Sequence, residues 1–305
     1  MAAELLDAKE LARLGDLKLR ARIVVEGALA GLHRSPHHGA SVEFAEHKEY
    51  TPGDEVRRID WKAYGKFDKY YVKRFEEETE LRGYLCVDCS ASMGYAGEGV
   101  SKLAYASLLA ASLAYLLLSQ QDQAGLVAFA DTIRAYLPPR ARAGQLGDLE
   151  TALTKLTASG TTDLVRAVSY VSDVARPRSL IVIMSDMLSS GAETVALLRG
   201  LRARQHDVVL LHILDGDELR MPPARFDGPA RFVDPEAEAD ELLADPRFAR
   251  ASYLESIGAF IAGLRSACAE GGVEYHVADT ARPPSETLLE LLRGRVRAKP
   301  MSARR

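Results

Sequence analysis

Five short apolar runs punctuate the chain, at residues 83–90, 124–130, 179–186, 207–214 and 273–279, and helical spacing fills the segments between them. That alternation constrains the fold more than any other feature. Runs such as SLIVIMSD and DVVLLHIL are apolar almost throughout, so each strand must be covered on both faces. Strands of this kind alternating with helices form a mostly parallel sheet. The expected fold is α/β: a doubly wound, Rossmann-like sheet with helices on both faces and an N-terminal extension.

The segments between the strands sharpen this. Residues 103–119, LAYASLLAASLAYLLLS, are the longest uncharged run, and Ala, Ser and Tyr dilute it. A spanning helix needs about 20 predominantly apolar residues, so a helix buried on the sheet is expected and no membrane span. Helices are also expected near 144–157, 163–176, 193–204, 246–270 and 285–295. Upstream, residues 4–32 carry helical spacing broken near Gly15, and residues 41–47 alternate like a short strand inside a polar loop. The domain division expected is an N-terminal region over 1–80, a sheet domain over 81–298 and a basic tail over 299–305. Residues 215–245 hold four prolines and short alternating pieces, which predict an excursion, such as a hairpin, off the sheet edge.

Composition removes several function classes. The 39 basic and 43 acidic residues give a formal charge of −4, which argues against a strongly basic nucleic-acid binder. Three cysteines cannot build a disulfide framework, and the acidic start lacks the apolar core of a signal peptide. A cytoplasmic protein is the expectation.

The most informative stretch follows the first apolar run, where Asp88-Cys89-Ser90-Ala91-Ser92 leads toward the long helix. In an open parallel sheet, ligands bind beyond the carboxyl ends of the strands, where strand order reverses. Asp88, Ser90 and Ser92 would then stand on that rim as hard oxygen donors suited to Mg²⁺ or Mn²⁺. Asp186 ends another apolar run and would face Asp88 if the two strands are neighbours. Between them, SGTTDL offers Thr162, chosen over Thr161 because Ala167 and Val168 then fall where the following helix must pack.

In that order and context, Asp88, Ser90, Ser92, Thr162 and Asp186 resemble the metal-ion-dependent adhesion site of von Willebrand factor A domains. The resemblance implies that the two serines and the threonine bind Mg²⁺ while the aspartates ligate directly or through water. It also leaves one coordination position for a partner's carboxylate. Upstream, Glu43, Phe44, Glu46, Tyr50, Gly53, Asp54, Arg57, Ile59, Asp60 and Trp61 resemble the signature of the bacterial domain-of-unknown-function 58 family, which carries such a domain. Members are commonly encoded beside MoxR-type AAA+ ATPases. The resemblance therefore implies a non-enzymatic adaptor or co-chaperone that meets such an ATPase, or another protein supplying an acidic side chain, in maturing a client complex.

Other motifs carry less. Cys86 and Cys89 match C-x-x-C, but a spacing of three along a strand puts them on opposite faces, as buried small residues rather than a redox pair. His33, His37 and His38 lack companion ligands at zinc spacing. Residues 57–75 interleave seven basic residues with six aromatics, the pattern that would serve single-stranded nucleic acid, yet four glutamates follow within 76–80. No G-x-x-x-x-G-K-[ST] loop or G-x-S-x-G elbow is present, and position 90 is Ser where a dehalogenase-type phosphatase has its general acid. A metal-dependent hydrolase is the weakest alternative.

Overall fold

The computed structural model describes residues 7–33, 48–49, 71–72, 81–188 and 192–298. Two helices come first, α1 (Ala8–Ala12) and α2 (Leu17–His33), separated around Gly15 as the spacing predicts. Asp7 caps α1 and forms a reciprocal capping box with Glu10. Residues 35–80 form a separate unit, whose described part is an antiparallel pairing of β1 (Lys48–Glu49) with β2 (Tyr71–Val72). The strand expected over 41–47, most of the basic and aromatic segment at 57–75, and the tail over 299–305 lie outside the described residues.

The main unit is built on a six-stranded sheet. Its strands are β3 (Arg82–Asp88), β4 (Gln123–Phe129), β5 (Ile133–Arg140), β6 (Leu180–Ser185), β7 (Asp207–Leu214) and β10 (Glu274–Asp279). Their order is β10-β7-β6-β3-β4-β5, parallel throughout except that β5 runs antiparallel to β4. The chain starts in the middle, builds outward one way, returns to β3 and builds out the other way. That is the doubly wound order, with its reversal between β4 and β6 around β3.

Helices cover both faces. On one side α3 (Lys102–Ser119) lies under α1 and α2, with α4 (Gln145–Thr154) and α9 (Pro284–Ala298) beside it. Leu85, Val87, Val182 and Met184 point into this core with Leu109 and Ala110 of α3. On the other side stand α5 (Leu164–Val174), α6 (Ala192–Ala203) and α8 (Pro246–Glu270). They pack on Tyr84, Cys86, Ile181 and Ile183. The alternation along β3 places Cys86 in one core and Cys89 in the other, the opposite-face arrangement expected from their spacing. Burial raises both thiols, Cys89 to about 11, so both stay protonated at neutral pH.

Two details differ from expectation. First, α1 and α2 belong to the sheet unit rather than to a continuous N-terminal region ending at residue 80. Ala21, Val24, Val25 and Ala28 of α2 are buried in the α3 core, which explains why α2 cannot group with the chain that follows it. Second, β5 is a sixth strand with no apolar run. None of its residues is fully buried, and it contains Pro138 and Pro139, which only an edge strand tolerates. The predicted excursion is present: after the short helix α7 (Gly216–Arg220), β8 (Ala230–Asp234) and β9 (Ala237–Ala244) form an antiparallel ribbon.

The fold also buries a titrating ring. His212 of β7 is fully buried, with Nδ1 2.7 Å from the Tyr275 hydroxyl and Nε2 2.9 Å from the Asp186 carbonyl. The carbonyl can only accept, so Nε2 carries the proton and Nδ1 accepts from the tyrosine. Burial lowers the pKa of this ring to about 4. A histidine lowered on folding contributes stability that is complete above its unfolded pKa and is lost as pH falls toward the folded one. In the presence of a chelator, acidification from about pH 7 to pH 5 should therefore cost about 2 kcal/mol through this group. Thermal melts of wild type and His212→Gln across that range check this. Parallel pH slopes for the two proteins would contradict it.

Candidate functional site

The rim of the sheet at the reversal point collects the polar residues. β3 ends on Asp88, which is fully buried. Asp88 Oδ1 accepts the Ser90 N–H at 2.9 Å, and Oδ2 accepts the Ser185 hydroxyl at 2.6 Å. Ser185 ends β6, which lies directly beside β3 with Met184 opposite Val87. The neighbouring strands required for Asp88 and Asp186 to meet at one rim are thus in place. Burial pushes the Asp88 carboxyl up to about 6, against the pull of the Ser185 hydroxyl and the Ser90 N–H.

After Asp88 the chain turns through a 3₁₀ turn, Ala91–Gly94, that buries both serines. The Ser90 and Ser92 hydroxyl oxygens are 3.1 Å apart. This turn is tied to the threonine loop. Ala91 N–H donates to the Gly160 carbonyl at 2.8 Å, and Ser159 N–H donates to the Cys89 carbonyl at 3.0 Å. Asp163 caps α5 by accepting the Arg166 N–H, which fixes Thr162 at the mouth of the loop.

Two further charged residues enter, and the motif alone did not reveal them. Lys102, in the first turn of α3, is fully buried and places Nζ 2.7 Å from Asp186 Oδ2 and 2.7 Å from Glu218 Oε1. Burial works against this ammonium, but the two carboxylates outweigh it and hold its pKa above the ordinary lysine value. A cation opening a helix opposes the helix dipole, and that anomaly was the available signal. Glu236, at the tip of the β8–β9 ribbon, accepts the Thr162 hydroxyl at 2.7 Å and the Thr162 N–H at 3.0 Å. No local pattern announces that contact.

The structure therefore gathers Asp88, Ser90 and Ser92 in one turn, sets Asp186 at the end of the adjacent strand, and bonds the Thr162 loop to that turn. It also engages Asp186 with an ammonium and Thr162 with a carboxylate. Among the described residues no group of three or more His, Cys, Asp or Glu could hold a metal. The donors here are mainly hydroxyls, so the fit of Mg²⁺ rests on oxygen spacing. Ligands about 2.05 Å from Mg²⁺ in octahedral array sit about 2.9 Å from their neighbours. The Ser90–Ser92 separation of 3.1 Å is close to that edge. Asp88, Ser90 and Ser92 are buried hard oxygen donors of the kind Mg²⁺ takes, while Lys102 engages Asp186 and Glu236 engages Thr162.

Other expected features are accounted for briefly. The Ser90 hydroxyl lies against the Ser92 hydroxyl. His37 and His38 lie outside the described residues.

Comparison with known proteins follows from this geometry. Residues 46–257, more than half of the chain, match the family described as protein of unknown function DUF58. An uncharacterized protein of Mycobacterium bovis and one of Mycobacterium tuberculosis are each 29% identical over 219 residues, covering 71% of this chain and 68% of theirs. Among solved structures, BatB from Bacteroides thetaiotaomicron aligns at 13% identity and a TM-score of 0.45, covering 72% of this chain and 100% of that one. An aerotolerance-related membrane protein from Bacteroides fragilis aligns at 15% and 0.45, covering 71% and 98%. The SpRpn10 VWA domain aligns at 10% and 0.38, covering 68% and 93%. The strand order and the rim position of the Asp88 motif, rather than these scores, make this a von Willebrand factor A-like α/β sheet.

The expectation of a cytoplasmic protein is corrected here: one of these neighbours is named a membrane protein, and another, from Vibrio fischeri, a membrane spanning protein. Three cysteines and an acidic start do not define a compartment, because a water-exposed domain folds alike whether free or tethered. Within the described residues, α3 is the one helix long and apolar enough to cross a membrane by composition, and most of it is buried between the sheet and α2.

Proposed function

The chain belongs to the family described as protein of unknown function DUF58, and from that premise we propose that it is a protein-interaction module whose adhesive group is a rim-bound Mg²⁺. The coarser part, an interaction module on a von Willebrand factor A-like sheet, is what family and fold support. The finer part assigns Ser90, Ser92 and Thr162 as neutral oxygen ligands and Asp88 and Asp186 as the carboxylates, with Mn²⁺ an acceptable substitute. When bound, the ion supplies a Lewis-acidic point to which a partner's carboxylate can attach. The protein's own residues do the rest. Asp88 and its Ser185 hydrogen bond fix the β3 rim, the 3₁₀ turn aims both serine hydroxyls together, and Lys102 limits the negative charge around Asp186.

No chemical transformation is assigned to the rim. The proposed partner is a MoxR-type AAA+ ATPase, or another protein presenting Asp or Glu. The observation that carries the reading is the 3.1 Å pairing of two buried serine hydroxyls beside a buried aspartate, at the point where strand order reverses. The test is calorimetry with Mg²⁺ and Mn²⁺ on the full chain, followed by binding of a purified MoxR-type ATPase with and without chelator. Metal binding with chelator-sensitive partner binding is the expected result. Absence of metal binding would overturn the reading.

A further inference from the structure

Glu236 is the feature that the rim reading leaves unexplained. It stands at the tip of the β8–β9 ribbon, where Asp234 pairs with Ala237 and leaves Pro235 and Glu236 as a two-residue turn. Asp234 Oδ1 accepts the Glu236 N–H at 2.8 Å, which holds the turn and aims the following side chain. Both carboxylate oxygens then engage Thr162, 74 residues earlier in the chain, one on the hydroxyl and the other on the N–H. A surface glutamate whose two oxygens both find one buried-edge residue on a different element is positioned rather than incidental.

The ribbon that carries it stands apart from the six-stranded sheet. It is two strands only, a form of marginal stability in water. Leu242 and Leu243 on β9 are 64% and 78% exposed, so the ribbon is not buried against the sheet there. Its register also slips between Val233 and Asp234, just before the turn.

We propose that Glu236 is the chain's own capping carboxylate, filling in cis the coordination position beside Thr162 that an outside acid would otherwise take. This rests on the metal reading above. The kind of partner that fits is a protein presenting a carboxylate strongly enough to displace Glu236, with the ribbon swinging away as it docks. An acid held by the same chain has a high effective concentration, so weak or isolated carboxylates are excluded while a docked partner competes.

The experiment uses the full chain, wild type and Glu236→Gln, with Mn²⁺ as the probe. Free Mn²⁺ is read by electron paramagnetic resonance, and water on the bound ion by proton relaxation. Glu236 lies at an exposed turn, and thermal melts establish that the variant folds. The variant should bind Mn²⁺ roughly tenfold more weakly, the loss of one anionic ligand, and should show higher relaxivity because water replaces the carboxylate. Adding N-acetylglutamate methylamide should lower the relaxivity of the variant and leave wild type unchanged. If both proteins bind Mn²⁺ with the same affinity and relaxivity, the capping role is overturned while the metal site stands. If neither binds Mn²⁺, both are overturned.

Discussion

Asp88→Ala should remove measurable Mg²⁺ binding, and Asp88→Asn should weaken it at least a hundredfold, while both proteins keep a wild-type circular dichroism spectrum. The argument is electrostatic. Asp88 is fully buried, its two oxygens each accept one hydrogen bond, and burial already raises its pKa to about 6. A carboxylate kept so far from water without a full counter-charge is costly, and a dication is the group that would offset the cost. Amide replacement keeps the shape and one acceptor oxygen but removes the charge. The fold should survive because β3 is held by two parallel neighbours and by apolar residues on both faces. Calorimetry on the three proteins decides the matter: equal heats of Mg²⁺ binding would refute the assignment of Asp88.

Lys102→Met should lower stability by about 3–5 kcal/mol and at the same time tighten Mg²⁺ binding by about tenfold. The two effects have one origin. The ammonium is the shared partner of Asp186 and Glu218, at 2.7 Å from each. Without it two carboxylates face each other away from water, and removing one member of a buried ionic group leaves an uncompensated charge. For a unit of this size the loss corresponds to roughly 10 °C in melting temperature. The same substitution removes a positive charge that competes with any cation held by Asp186. Added Mg²⁺ should therefore restore part of the lost stability. The double variant Lys102→Met/Asp186→Asn should be more stable than Lys102→Met alone, since the repulsion is then gone. A melting temperature within 2 °C of wild type would contradict the ionic role of Lys102.

The parts legible in the sequence were those with a strong local signal. β3, β4, β6 and β7 announce themselves because strands buried on both faces must be apolar throughout, and Asp88 and Asp186 follow because each closes such an apolar run. The break near Gly15 and the ribbon after residue 215 were visible as interruptions. β5 was not, because an exposed edge strand needs neither an apolar run nor freedom from proline. Lys102 and Glu236 were not visible either, since their partners lie 84 and 74 residues away and only the fold brings them together. Lys102 left one trace, a cation in the first turn of an otherwise uncharged helix. The family signature at residues 43–61 lies outside the described residues, so its role has no structural account.

The proline pair in β5 bears on how copies of this protein can meet. Pro138 and Pro139 are adjacent on the outermost antiparallel member of the sheet, so one of them removes an N–H that an incoming strand would pair with. Growth into filaments by stacking one sheet onto the next is blocked on that flank. Copies of this chain can thus be concentrated without zipping strand to strand along that edge.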